Sequence, residues 1–79
     1  MARTTWQSRI VTDVGLHHGD PCIKGTRIPV TMIVGSLADG MTIEEVRLVF
    51  PQLTVEDILA CLSYAADVMR QEFLIPLVA

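Results

Sequence analysis

Apolar positions along the chain change their spacing near residue 30. Before it, short β-branched pairs alternate with turn-forming residues, whereas after it apolar residues recur every three or four positions. This pattern predicts a mainly α fold, a three-helix bundle preceded by a short β-strand or hairpin. We expect one domain over 1–79, with an arm and β element in 1–29, the bundle in 30–75 and a helix-turn-helix in 42–72.

The β element is expected around the segment Ile23–Val30. Ile10–Thr12 is predicted as the first strand, and Cys22–Ile23 and Arg27–Ile28 as short strands around a turn, or as one bent strand. Pro29 has no N–H to donate, so it should end strand pairing and begin the first helix.

Gly25, Thr26 and Arg27 are predicted to form a structural motif at this turn. Arg27 lies between apolar residues, so we expect its charge to reach the surface or to pair with Asp20 or with an acid of the later helices. Contact with a phosphate is the alternative role for this arginine.

Capping residues mark the helix boundaries. The first helix should begin near Val30–Thr31 and stop at Gly40, and Gly35 inside it indicates the close approach of another backbone. The second should begin with the capping box from Thr42 to Glu45.

The third helix should begin at Thr54, with Asp57 three residues later. An apolar stripe is expected to turn this helix toward the core. The stripe consists of Ile58, Leu62, Ala65, Met69 and Phe73. The outer side should carry Glu56, Ser63, Asp67 and Arg70.

Two capped helices joined by a short connection have the length of a helix-turn-helix, and with the preceding helix they make a homeodomain-like bundle. An ordinary helical hairpin is the alternative. Glu56 and Asp57 at the start of the third helix repel phosphates, so other residues would have to contact DNA. The candidates are Thr42, Arg47, Gln52, Thr54, Arg3 and Arg9.

Charge is spread unevenly along the chain. The net charge is −3, with +1 over residues 1–40 and −4 over residues 41–79. This balance weighs against strong non-specific binding to DNA. The chain has two cysteines, no CxxC, no signal pattern and no apolar run of membrane-spanning length, which predicts a cytoplasmic protein.

Catalytic and metal sites are not predicted. His17, His18, Asp20 and Cys22 lie close together in sequence, but a metal needs three or four ligands and adjacent histidines point in different directions. Cys61 has no activating base near it in sequence, so we expect a core position for it. An enzymatic function would require a metal at the two histidines and Asp20. We expect no enzyme activity, no metal and no cofactor.

Much of the apolar surface should be covered by a partner. Hydrophobic residues make up 51% of the chain, and so short a chain is predicted to pack as a homodimer or against a bound partner. The uncharged C-terminal segment should supply the contact residues Phe73, Leu74, Ile75, Leu77 and Val78.

Four motifs occur in order along the chain: Gly19–Val30, which contains Gly-Thr-Arg-Ile-Pro-Val, then Leu37–Val46, Phe50–Ile58 and Leu62–Ala66. Together they resemble a widespread prokaryotic family, the domain-of-unknown-function family numbered four hundred and thirty-three. The resemblance covers roughly residues 9–67.

The resemblance implies a homeodomain-like helix-turn-helix protein with a short N-terminal β element. Many members of that family are regarded as antitoxins of type II toxin–antitoxin pairs, often beside a PIN-like ribonuclease toxin. The family offers no catalytic residue to carry over. Cys22 occupies a position commonly filled by an apolar residue such as valine, which favours a core role. Any longer toxin-binding tail is expected to be short or absent.

Two functions from different classes are therefore expected. The first is a dimeric, DNA-binding antitoxin-like protein that represses its own promoter and neutralises a ribonuclease. The second is a protein-interaction or assembly module on the same fold that does not bind DNA. A basic face made of Arg3, Arg9, Arg47 and Arg70 would favour the first, and scattered arginines would favour the second.

Overall fold

The computed structural model describes residues 3–12 and 19–74, and the side chains among them up to residue 70. Its elements are β1 (Ile10–Thr12), β2 (Pro21–Ile23), α1 (Val30–Ala38), α2 (Ile43–Val49) and α3 (Val55–Leu74). Three helices and a short two-stranded antiparallel hairpin make the fold mainly helical, which confirms the predicted fold class. Within these residues no helix is both long and apolar enough to cross a membrane.

The antiparallel sheet consists of β1 and β2, and Ile10 lies opposite Ile23 in its register. Arg27–Ile28, which the sequence pattern predicted as a strand, is not one. The chain instead returns to β2 through a single bridge between Cys22 and Pro29. After the turn that follows β2, the second half of the predicted hairpin is limited to this bridge and to the bond from the Ile23 N–H to the Ile28 carbonyl at 3.0 Å.

A side chain closes this turn. The Thr26 hydroxyl donates to the Ile23 carbonyl at 2.7 Å and accepts from the Ile28 N–H at 3.1 Å. Gly25 has a φ of +81°, a left-handed conformation that residues with a Cβ rarely adopt. Such local bonds compete with strand pairing, which explains why the second predicted strand does not form.

The ends of α1 agree with its predicted capping residues. The helix begins after Pro29 and ends at Ala38, and Gly40 beyond its C-cap has a φ of +101°. The Gly40 N–H donates to the Leu37 carbonyl at 3.0 Å, and the Met41 N–H donates to the Ser36 carbonyl at 3.2 Å. This is a Schellman motif, which gives partners to carbonyls at the helix end.

Reciprocal caps begin both α2 and α3. The Thr42 hydroxyl accepts from the Glu45 N–H at 3.1 Å, and the Glu45 carboxylate accepts from the Thr42 N–H at 2.8 Å. Thr54 and Asp57 make the same two bonds at 3.0 and 3.1 Å. Each cap satisfies two backbone N–H groups that a helix start leaves without partners, and both predicted helix starts are confirmed.

One apolar core receives side chains from every element. The connection between α2 and α3 contributes Leu53, and the turn before α1 contributes Ile28. The buried cluster consists of Ile10, Ile23, Ile28, Val30, Ile33, Val46, Leu53, Ile58, Ala60 and Cys61.

The inner face of α3 differs from the predicted stripe. Ile58 is buried as expected, but Leu62 and Met69 are 38% and 57% exposed, and Ser63 is buried although it was expected on the outer side. The helix packs against α1, α2 and β1 at once. A helix covered from several directions has no single inner stripe, so apolar spacing alone misplaces its open side.

Gly25→Ala and Gly35→Ala form a matched pair of tests. Among the described residues, no atom beyond the adjoining backbone lies within 4 Å of a Cβ placed at either position, which also excludes the close approach expected at Gly35. The Gly25 variant should lose about 1 kcal/mol of unfolding free energy, because its backbone is left-handed. The Gly35 variant should gain up to about 1 kcal/mol, because alanine favours the helix.

Urea unfolding followed by the fluorescence of Trp6, the one tryptophan in the chain, measures both changes. A loss of stability in the Gly35 variant equal to that in the Gly25 variant would contradict this account of the two backbones.

Candidate functional site

The N-terminal arm, residues 3–9, packs against α3. The Trp6 indole N–H donates to Asp67 Oδ2 at 2.8 Å, and its ring meets Tyr64 edge to face with centroids 4.7 Å apart. Arg3 forms an ion pair with Asp67 Oδ1 at 3.4 Å. The aromatic pair and the satisfied indole N–H both favour this position, so the arm is an integral part of the fold.

Arg9 joins the arm to the start of α3. Its guanidinium lies 3.1 Å from Asp57 Oδ1, and the Asp57 side chain is 15% exposed. Asp57 Oδ2 also accepts from the Thr54 N–H in the helix cap. The two arginines predicted to bind DNA from the arm are thus each paired with an acid of α3.

The other candidates for DNA binding lie along α2 and the connection that follows it. The hydroxyls of Thr42 and Thr54 are used in the helix caps. Arg47 is half-buried, and its Nε donates to the Leu53 carbonyl at 3.4 Å, which ties α2 to the connection. Gln52 is exposed and makes no side-chain hydrogen bond to the described residues. Of these four residues, only Gln52 has a side chain that makes no hydrogen bond to the described part of the chain.

The open side of α3 carries an apolar strip, which we call the α3 stripe. Leu62 and Met69 are exposed, and Leu59 and Ala66 are half-buried. The exposed carboxylate of Glu56 lies just before it. In a helix-turn-helix the start of the second helix enters the major groove, which is bordered by phosphates. A carboxylate repels phosphates and leucine side chains cannot bind them, so this side of α3 is poorly suited to DNA.

A groove of about 550 Å³ lies between α1 and the middle of α3, and we call it the α1–α3 groove. Its size falls within the range of pockets that bind ligands. Gly35 has open space where a Cβ would lie, so no side chain fills the groove on the α1 side at this residue. The lining is almost wholly apolar and consists of Pro21, Val30, Thr31, Val34, Gly35, Tyr64, Ala65, Val68 and Met69.

Both cysteines are buried and free. Burial, and then the Asp20 carboxylate, raises the pKa of the Cys22 thiol. Burial, and then Asp57, raises the pKa of Cys61 to about 12. Because the thiolate is the nucleophilic form, both side chains are unreactive at neutral pH. Their burial agrees with the core positions expected for them.

The predicted structural motif divides into two parts. Gly25 and Thr26 build the turn after β2, whereas the Arg27 side chain is exposed. Arg27 makes no ion pair with another described residue, so the expected pairing with Asp20 or with a helix acid is not found there.

Several predicted residues lie outside the described part of the chain. They are His17, His18, Ile75, Leu77 and Val78, together with the side chains of Phe73 and Leu74. Over residues 3–12 and 19–70, no three His, Cys, Asp or Glu side chains form a group that could hold a metal.

Comparison with known proteins gives one match. Residues 10–65 match the family described as "Protein of unknown function (DUF433)". No curated protein matches the chain, and no solved structure matches it. The matched range begins with β1 and ends within α3, so it includes α1, α2 and the connection to α3.

Cys61→Ala should remove an alkaline loss of stability. Cys61 titrates at about 12 in the folded protein, against 9.0 for an ordinary thiol. Between these values the folded state binds more protons than the unfolded state. The free energy of unfolding therefore falls as pH rises, by at most about 1.4 kcal/mol per pH unit.

Urea unfolding at about pH 9 and about pH 10.5 measures this slope in the wild type and the variant. Ser63→Ala, which removes a buried hydroxyl from the same helix, is the control and should keep the wild-type slope. If the unfolding free energy falls equally with pH in the wild type and in Cys61→Ala, the assignment of this pH dependence to Cys61 is refuted.

Proposed function

This chain belongs to DUF433, a family of proteins of unknown function, and we propose that it is an antitoxin-type protein that binds and neutralises a cognate ribonuclease toxin. The α1–α3 groove carries the proposal, because it is an open apolar surface between two helices. The motif resemblance described above supports the class of partner. The proposed place of action is the cytoplasm, where such a ribonuclease meets its RNA.

The shape of the groove suits an apolar segment of a protein. Amphipathic helices commonly bind by laying their apolar side chains into a groove between helices of the partner. Here the walls are valine, alanine and methionine side chains, and Gly35 leaves room for a large side chain of the partner. Tyr64 adds a ring that the arm holds in place through Trp6.

The charge of the chain also suits this partner. A ribonuclease needs a positive surface to bind the phosphates of RNA. This chain has a net charge of −3 and a pI of about 5.1, with the acids concentrated after residue 41. Opposite net charges speed the encounter of two proteins and favour the correct partner.

Gly35→Leu should weaken binding to the ribonuclease without unfolding the domain. Leucine is a good helix former, and its side chain would occupy the open space in the groove wall. We expect at least about a tenfold weaker Kd, equal to about 1.4 kcal/mol. Calorimetry with a catalytically inactive form of the proposed PIN-like ribonuclease measures it.

Ala38→Leu is the matched control. It adds the same side chain to an exposed position at the end of α1, outside the groove lining. This variant should bind like the wild type and should restore growth of cells that express the ribonuclease. Wild-type affinity in Gly35→Leu, or no binding by the unaltered protein, would refute the proposal.

Binding to operator DNA is the second candidate, in which the protein represses its own promoter. Gln52 favours it, because this side chain is exposed in the connection of a helix-turn-helix. Arg47, on the helix before it, could reach a phosphate. The pairing of Arg3 and Arg9 with acids of α3 supports the rival, a protein-interaction module that does not bind DNA.

Fluorescence anisotropy with the duplex upstream of the gene, compared with a scrambled duplex at low and moderate salt, separates these two functions. For a repressor we expect tighter binding to the native duplex and a loss of about 1–3 kcal/mol when Gln52→Ala removes a base contact. Arg47→Ala should lower the dependence of the binding affinity on salt concentration. Lys24→Ala, which lies outside the helix-turn-helix, is the control and should leave that dependence unchanged. If the protein binds the native and the scrambled duplex equally at both salt concentrations, the DNA-binding function is refuted and the protein-interaction module is favoured.

A further inference from the structure

The α3 stripe has the spacing of a coiled-coil seam. Its residues, Leu59, Leu62, Ala66 and Met69, follow one another at intervals of three, four and three. Alternation of three and four places side chains on the strip along which two helices supercoil. Leu62 and Met69 are exposed, whereas Leu59 and Ala66 are half-buried and share a depression with Arg3 and Thr4 of the arm, so the seam is partly open in the described part of the chain.

From this seam we propose that two copies of the chain pair through α3, with the two helices antiparallel. Leu59 of one copy then packs against Met69 of the second copy, and Leu62 packs against Ala66 of the second copy. The two-fold axis crosses the middle of the stripe, so the same residues serve both copies, as the symmetry of a homodimer requires.

Two exposed charges fix the direction. Glu56 and Arg70 lie on the same edge of the stripe, and neither forms an ion pair with another described side chain. When Leu62 faces Ala66 of the second copy, antiparallel packing brings each Glu56 beside Arg70 of the other chain. Parallel packing would gather both Glu56 carboxylates at one end and both Arg70 guanidinium groups at the other.

The length of the seam sets the strength of the dimer. Residues 56–70 span about 21 Å of helix at 1.5 Å per residue. So short a seam, with an alanine in it, buries less surface than a permanent interface does, and a Kd in the micromolar range is expected. The paired α3 helices would also cover the side that a helix-turn-helix presents to DNA.

This pairing can be tested apart from toxin binding. Gly35 and Val34, on the α1 wall of the groove, are not in the stripe, and only Met69 borders both surfaces. A protein that fails to bind the ribonuclease can therefore still dimerise, and a monomer can still bind it.

Sedimentation velocity of the full chain over a range of concentrations gives the dimer Kd. Glu56→Arg alone and Arg70→Glu alone should each weaken it at least about fivefold, because each places like charges together. The double variant should recover most of the loss. Glu44→Arg, which changes an exposed acid on α2, is the control and should not alter Kd.

Mixed cysteine variants test the direction independently. Leu59→Cys protein mixed with Met69→Cys protein should form a disulfide-linked heterodimer, because these positions face each other. Leu59→Cys alone should not cross-link, and the native Cys22 and Cys61 are buried. Circular dichroism confirms that each variant is folded. A protein that is monomeric at every concentration, a double variant without recovery, or cross-linking of Leu59→Cys with itself would overturn the proposal.

Discussion

The carboxylate of Asp57 holds together parts of the fold that are far apart in the chain. One oxygen accepts from the Thr54 N–H and begins α3, and the other holds Arg9 at the end of the arm, next to β1. Its charge also contributes to the raised pKa of Cys61, one turn further along the helix. Since the carboxylate is largely buried, loss of it would leave a cation and a helix N–H without partners. The position of α3 relative to the sheet depends on this group.

The same constraint shapes the outer surface. Two acids of α3, Asp57 and Asp67, bind the two arginines of the arm, so these charges are engaged within the fold. Arg47 likewise binds the Leu53 carbonyl at the end of the connection. In the described part of the chain, exposed apolar side chains lie along the α1–α3 groove, on the α3 stripe and on α2, where Leu48 and Val49 are exposed. Apolar surface left open on a small domain is typical of protein contacts, which is why the proposed partner is a protein.

Features that depend on near neighbours could be predicted from the sequence. The caps of α2 and α3 join residues three apart, and the stop of α1 depends on one glycine, so their boundaries follow from local chemistry. Which face of α3 is buried and which is exposed could not be predicted in this way. Arg3 and Arg9 meet their acids 64 and 48 residues further along the chain, and apolar spacing contains no information about such contacts.

The candidate site shows the same limit. Gly35 stood out as unusual inside an apolar helix, but it was interpreted as a place of close backbone approach. The structure has open space there instead, and Gly35 lines the groove between α1 and α3. Thr42 and Thr54 were predicted both as helix caps and as contacts for DNA. The capping role involves residues three apart and is the one that the structure shows, since each hydroxyl accepts a backbone N–H of its helix.

Met69 connects the two apolar surfaces, since it borders the groove and also belongs to the stripe. Methionine is unbranched and has three rotatable bonds, so its thioether can turn toward either surface at low cost. If toxin binding and self-pairing each hold this side chain in a different position, each event changes the affinity of the other. Linkage requires that effect to be equal in both directions. On these two proposals, the number of copies in a complex with the ribonuclease would depend on the concentration of both proteins, and not on the groove alone.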